Sequence, residues 1–281
     1  MNIALWSCLK QKGCVTTSTA LMSVYGSFLE SGRCVLLENH YGVRNLGSVL
    51  ITPEQQSVVR ESSTYFSKYG IEHVMKQLYA GEDGRKALNE TMVPLLYQGM
   101  YYLPQSCVVN REVFQYNFQE VEKSLFQCLR QFAANVYIDL ESYGNPSTLR
   151  ILQDASTQVV ICMDQDINHW EKLFSAYQPL TRRAFFILGG YIPEYRWNMT
   201  EILKRFRIPV ERIGAIPYNL ELEQAMETGR LLQFVNRTSR GKRSRENAYF
   251  VRKTKECALR LHEYGQKRTG MDMPVPGSLY L

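Results

Sequence analysis

Met1-Asn2-Ile3-Ala4-Leu5-Trp6-Ser7-Cys8-Leu9-Lys10-Gln11-Lys12-Gly13-Cys14-Val15-Thr16-Thr17-Ser18 opens the chain, and a helical run over 19–32 leads from it to Cys34-Val35-Leu36-Leu37-Glu38-Asn39. Two short apolar runs that enclose a polar loop and a helix predict a strand, loop, helix, strand unit. The loop lies at a helix N-terminus, where unbonded backbone N–H groups favour an anion.

The same alternation continues outward from this unit. Helices are expected over 53–69, with Thr52 as N-cap and Pro53 at the first helical position, and over 71–79, broken by Gly81-Glu82-Asp83-Gly84. A short strand follows over 100–103. Asn110 then starts a long helix in which Phe114, Phe118, Val121, Leu125, Leu129 and Phe132 recur at helical spacing, the stripe of a buried face. Strands over 136–139, 158–163, 184–188 and 212–217 alternate with helices over 147–154, 167–176, 199–206 (Asn198 as N-cap), 221–229 and 245–264. Most of the strands are unbroken apolar runs. The expected fold class is therefore α/β, a mostly parallel sheet with helices on both faces.

Ligands in such sheets bind beyond the strand C-termini. The polar residues that interrupt the apolar pattern fall there: Lys10 to Thr17, Asn39, Asp139, Asp164 to Asp166, Tyr191, and Pro217-Tyr218-Asn219. For Asp164 and Asp166 turn formation and helix capping are the favoured roles.

Composition narrows the classes. The chain has 281 residues, 45% of them hydrophobic and 21% charged, which suffices for a full core. No apolar run reaches the roughly 18 residues that span a bilayer, and no charged-then-apolar leader opens the chain. The seven cysteines form no C-x-x-C pair and the four histidines are scattered. Reduced thiols and a cytoplasmic location are expected, with no zinc site or disulfide frame. Residues 230–281 carry a net charge of +8, while the whole chain carries +6, so residues 1–229 carry −2. A basic tail of this kind signals an anionic partner.

Set against the phosphate-binding pattern Lys-Gly-Gly-x-Gly-Lys-Thr-Thr, the first loop reads Lys10-Gln11-Lys12-Gly13-Cys14-Val15-Thr16-Thr17. Lys10, Thr16 and Thr17 keep the pattern, and Gly13 falls at its unspecified position. Gln11, Lys12 and Cys14 depart from it, and Val15 stands where the phosphate-gripping Lys belongs. With Val35-Leu36-Leu37-Glu38-Asn39, Tyr137-Ile138-Asp139 with Gly144, and Ile213-Gly214-Ala215-Ile216-Pro217-Tyr218-Asn219 in that order, residues 1–234 resemble the MinD/ParA group of P-loop ATPases. The hydroxyl-rich Val15-Thr16-Thr17-Ser18 and Tyr191 before Trp197-Asn198 are similar to the MinD-like proteins of Gram-positive bacteria and to the TadZ/CpaE branch.

The resemblance implies roles residue by residue. Thr16 and Asp139 would hold Mg²⁺. Lys10 would reach across a homodimer to the partner's nucleotide, and Gly13, Cys14, Val15, Thr16 and Thr17 would line the phosphates. Tyr191, Pro217, Tyr218 and Asn219 would lie on the base side. Asn39 falls where the family has the Asp that orients the attacking water. Glu38, by strand alternation, points to the opposite face. With Asn39 and Val15 at these two positions, hydrolysis should lose a factor on the order of 10² or more. Lys12 is a second cation in the loop, with a solvated surface position as its favoured reading.

The sequence thus divides into a P-loop domain over 1–236, a basic linker and helix over 237–268, and a loose tail over 269–281. The expected function is a degenerate nucleotide-binding-fold protein. It would act as a dimerising localisation or scaffold factor for a pilus, secretion or other cell-surface assembly. ATP or ADP with Mg²⁺ would be weakly held, or not held if the site is fully degenerate. The alternative is an active partitioning ATPase that binds DNA. For the basic region over 237–260 three readings stand: DNA, an anionic membrane, and packing on the body with a solvated basic face, the last being favoured.

Overall fold

The computed structural model of the chain describes residues 1–9, 14–40, 45–54, 70–97, 99–105, 110–140, 145–241 and 243–269. Lys10, Gln11, Lys12, Gly13, Gly144, Lys242, the tail from 270 onward and most of the helix expected over 53–69 lie outside them.

Among the described residues eight strands build one sheet: β1 (Asn2–Trp6), β2 (Cys34–Asn39), β3 (Val93–Pro94), β4 (Met100–Leu103), β5 (Asn135–Leu140), β6 (Thr157–Met163), β7 (Phe185–Tyr191) and β8 (Ile213–Pro217). Their order is β3-β4-β2-β5-β1-β6-β7-β8. Every pairing is parallel except the antiparallel edge pair β3–β4. The central strands β1, β2, β5 and β6 are buried along their whole length. Two-sided burial is why they read as continuous apolar runs rather than as alternating ones.

The helices are α1 (Val15–Ser27), α2 (Leu46–Leu50), α3 (Gly70–Tyr79), α4 (Gly84–Thr91), α5 (Arg111–Phe132), α6 (Pro146–Gln153), α7 (Ile167–Ala176), α8 (Gln178–Thr181), α9 (Met199–Phe206), α10 (Leu220–Glu227), α11 (Leu231–Arg240) and α12 (Arg245–Thr269). They divide between the two faces of the sheet. Ala4, Trp6, Val35, Leu37, Val136 and Ile138 point to the face covered by α3 to α7 and α9. Ile3, Leu5, Leu36 and Tyr137 point to the face covered by α1, α2 and α10 to α12. The expected stripe of the long helix is the buried side of α5, and Asn110 caps it by accepting a hydrogen bond from the Val113 amide at 2.8 Å.

Three local expectations are corrected. Helix α1 starts at Val15, not at 19, and ends at Ser27, so the last residues of the loop pattern form the first helical turn. The 71–79 helix ends at the expected break, but Gly84 already belongs to a further helix that the sequence reading lacked, since Asp83 caps α4 through the Arg85 amide. The run expected as a linker after 237 is helical to Arg240, because Leu231, Leu232, Phe234, Val235 and Thr238 form one buried stripe.

Helix α12 lies on the sheet. Phe250, Val251, Cys257, Ala258 and Leu261 are buried against the α1 face. Its backbone comes so close to β8 that a Cβ at Gly214 would stand 2.3 Å from Cys257 Sγ and 3.0 Å from Cys257 Cα.

Candidate functional site

The head of α1 faces the C-terminal edge of β1. Its N-cap, Cys14, has φ 50° and ψ 34°, a left-handed conformation, and provides no side-chain cap. The first turn holds no acidic residue. Its N–H groups therefore keep the partial positive charge of a helix start without a capping side chain to neutralise it. Val15, the first helical residue, turns its side chain toward the apolar face and packs there, partly buried. Thr16 is partly exposed. Thr17 Oγ1 donates to Met226 Sδ at 3.3 Å.

Beside this helix start the sheet carries a polar cluster. Glu38 and Asp139 are register partners at the ends of β2 and β5, and Asp139 is also opposite Leu5 of β1. His40 Nε2 stands 3.0 Å from Asp139 Oδ2 and 3.9 Å from Glu38 Oε2. Glu38 is fixed from its other side. Tyr102 donates its hydroxyl to Glu38 Oε1 at 2.6 Å, and the Leu46 amide donates to Oε2 at 2.9 Å. Burial pushes the Glu38 carboxyl above its ordinary range; His40, Tyr102 and Leu46 pull it back, and Asp139 adds to the rise.

Asn39 belongs to the other face. Its Nδ2 donates to Ser147 Oγ at 2.7 Å, and its Oδ1 accepts from Asn145 Nδ2 at 3.1 Å. Asn145 in turn caps α6 through the Ser147 amide. The amide at position 39 thus ties β2 to the start of α6. It is Glu38 and His40, two residues apart on one side of the chain, that share a face with Asp139. The expectation that placed Asn39 at the water-orienting position is corrected here. His40 was missed in the sequence because a lone histidine after a strand carries no metal-ligand spacing of its own.

The base-side residues separate in the same way. Tyr191 is buried and its Oη accepts from the Met199 amide at 3.4 Å. Pro217 pairs with Tyr191 at the end of the β7–β8 ladder. Tyr218 is 49% exposed. Asn219 is buried as the cap of α10: its Oδ1 accepts from the Leu222 amide at 2.9 Å, and its Nδ2 donates to Asn247 Oδ1 at 2.8 Å. Of the strand-end residues around β8, Tyr218 alone offers an exposed ring. Asp164 and Asp166 act as the capping reading expects. Asp166 accepts from the Asn168 amide, and both Asp164 oxygens stand 2.9 Å from His169 Nδ1.

Among the described residues Cys8, Cys34, Cys128, Cys162 and Cys257 are free thiols. Burial pushes Cys34 and Cys257 up to about 12 and raises Cys162 as well, so these sulfurs stay protonated and inert. In the basic region Arg237 pairs with Glu221, and Arg240, Arg243, Arg245 and Arg252 are exposed. No helix among the described residues is long and apolar enough to cross a membrane.

Solved structures with this arrangement span nearly the whole chain. The ParA family ATPase from Chlorobium tepidum superposes with a TM-score of 0.64, at 11% identity, over 92% of this chain and 98% of that one. This chain has the MinD/ParA-type P-loop ATPase fold. The septum site-determining protein MinD from Pyrococcus horikoshii, complexed with Mg-ADP, matches with a TM-score of 0.61 at 14% identity, over 96% of this chain and 98% of its own. MinD in the Aquifex aeolicus MinC:MinD complex matches with a TM-score of 0.58 at 14% identity, over 98% of each chain. No protein-family model matches the sequence, and no curated protein does. At this level of identity the MinD/ParA likeness is one of fold.

Proposed function

We propose that this MinD/ParA-fold chain is a positioning or partitioning protein that takes ATP or ADP with Mg²⁺ at the head of α1 and hydrolyses it weakly or not at all. The observation that carries the reading is Val15. It occupies the first turn of an uncapped helix start and packs into the apolar face, so that position supplies no cation to the phosphates. The backbone N–H groups of the first turn would still hold an anion, with Thr16 and Asp139 as the residues that would hold the metal. The metal would supply charge neutralisation of the phosphates. Lys10 would complete the site in a homodimer, and the partner would be protein machinery at the cell surface.

Titration of the purified chain with a fluorescent ATP analogue, with and without Mg²⁺, tests this, followed by phosphate release on the same sample. Micromolar Mg²⁺-dependent binding without release is the expected result. Release above background would overturn the weak-hydrolysis part. No binding at millimolar ligand would retire every nucleotide role.

The second reading is an active partitioning ATPase that binds DNA, and the exposed Arg240, Arg243, Arg245 and Arg252 favour it. It predicts turnover together with DNA binding that weakens steeply with salt.

A further inference from the structure

We propose that Arg183, Arg268 and Gln158 form a binding site for a doubly charged oxyanion, inorganic phosphate or a phosphate monoester, at the N-terminal edge of the sheet. The head of α1 lies at the opposite edge, so this site stands or falls separately from the nucleotide reading. Gln158 is near the start of β6, Arg183 precedes β7, and Arg268 is in the last turn of α12. Their side chains meet because α12 ends over this edge. Tyr264 Oη donates to the Arg183 carbonyl at 3.1 Å, and Arg268 Nη1 donates to Gln158 Oε1 at 3.2 Å.

The two guanidinium groups are held side by side by neutral acceptors. Arg183 Nη1 donates to the Asp154 carbonyl at 3.0 Å, and Arg268 Nη2 donates to the next carbonyl, that of Ala155, at 3.3 Å. Arg183 also donates to the Leu152 carbonyl. Carbonyls satisfy N–H groups but leave the charge. Arg150, Arg205 and Arg237 each reach a carboxylate, whereas neither Arg183 nor Arg268 forms an ion pair among the described residues. The nearby carboxylate of Asp154 is turned to the Ser156 amide and to the hydroxyls of Ser156 and Thr157. Burial, and after it Arg268, pulls the Arg183 guanidinium below its ordinary range, with Asp154 and Tyr264 opposing. Two like charges this close are costly without an anion between them.

Gln158 supplies a second, independent observation. It is 3% exposed. Its Oε1 is taken by Arg268, which fixes the orientation of the amide, and its Nε2 finds no acceptor among the described residues. A buried N–H left unpaired is costly. A place rich in donors and short of acceptors suits an oxyanion, which accepts from every side. Guanidinium forks match the oxygens of a phosphate. One dianion also balances two guanidinium charges, where a carboxylate would balance one. Arg268 is exposed and Arg183 half-buried, so the site opens to solvent.

Equilibrium dialysis of the full chain against radiolabelled inorganic phosphate, at low salt and mildly alkaline pH and without nucleotide or Mg²⁺, tests the site. One phosphate per chain is expected, displaced by sulfate and not by acetate at the same ionic strength. Arg268→Gln should weaken phosphate binding by about 10-fold or more, the scale of a lost charge-assisted bond, and leave the affinity for the fluorescent ATP analogue unchanged. Cys14→Asp, which places a carboxylate at the head of α1, should leave phosphate binding unchanged. Displacement by phenyl phosphate at lower concentration than by unlabelled phosphate would assign the monoester as occupant, and the reverse order would assign the free ion. The absence of stoichiometric binding, displacement by acetate, equal affinity in a folded Arg268→Gln chain, or loss of binding in Cys14→Asp would each overturn the site. The anion competition is read on the unsubstituted chain, so a variant that fails to fold does not remove the test.

Discussion

Tyr102 donates its hydroxyl to Glu38 Oε1 at 2.6 Å, and both side chains are buried. The bond joins β4 to the end of β2 and aims a carboxylate that strand alternation alone only assigns to a face. Tyr102→Phe keeps the ring and removes the donor. The expected loss is about 1.5–3 kcal/mol, the scale of a hydrogen bond to a charged group. Urea unfolding of the two chains measures it; a loss within error would show that the Leu46 amide suffices for Glu38.

Val15 packs against the apolar face where a phosphate-binding cation is missing. Val15→Lys places an ammonium at the helix start. A charge-assisted bond worth about 1.5–3 kcal/mol corresponds to roughly 10- to 100-fold in affinity. Titration with the fluorescent ATP analogue should show that gain in the variant, at some cost in stability from the lost apolar contact. An unchanged affinity would mean that the head of α1 does not receive the phosphates.

Gly214 gives α12 its close approach to β8. A Cβ there would stand 2.8 Å from Cys257 Cβ and 3.0 Å from its Cα, atoms that move only with the helix. Gly214→Ala should lower stability by about 1–3 kcal/mol, the usual cost of overpacking. It should also speed limited proteolysis within 245–269. Cys257→Ala would relieve the Sγ clash and recover only part of the loss.

His262 on α12 is buried beside Glu30, with Nε2 2.8 Å from Oε1. Burial lowers its pKa below the ordinary 6.5, and Glu30 and Glu263 oppose the shift without cancelling it. The unfolded chain therefore binds the proton more readily. The stabilisation is complete above 6.5 and is lost as pH falls below that value toward and through the folded pKa. Thermal unfolding at a series of pH values should show His262→Gln losing less stability on acidification than the unsubstituted chain. Parallel pH curves would exclude His262 as a source of the dependence.

The local order of this fold is written along the chain. The apolar runs at β1, β2, β5, β6, β7 and β8, the Asn110 and Asn198 caps, and the stripe of α5 are decided by burial and by backbone groups that need partners within a few residues. So is the clustering of polar residues at strand ends, because the parallel α/β alternation already says where strands stop.

What the sequence left open depends on contacts between distant segments. The order that puts β5 between β2 and β1 comes from pairing, and it is this order that makes Glu38 and Asp139 neighbours. The side on which each strand-end residue points is the second such matter. One step of alternation sends Asn39 to Ser147 and α6 and leaves Glu38 and His40 with Asp139. The course of the basic C-terminal helix is the third. Its apolar stripe is narrow in sequence, yet Gly214 lets Cys257 press against β8, and the helix becomes part of the core while Arg245 and Arg252 stay exposed. Each of these is settled by which surfaces meet, a matter of packing between residues far apart in the chain that no short window of sequence contains.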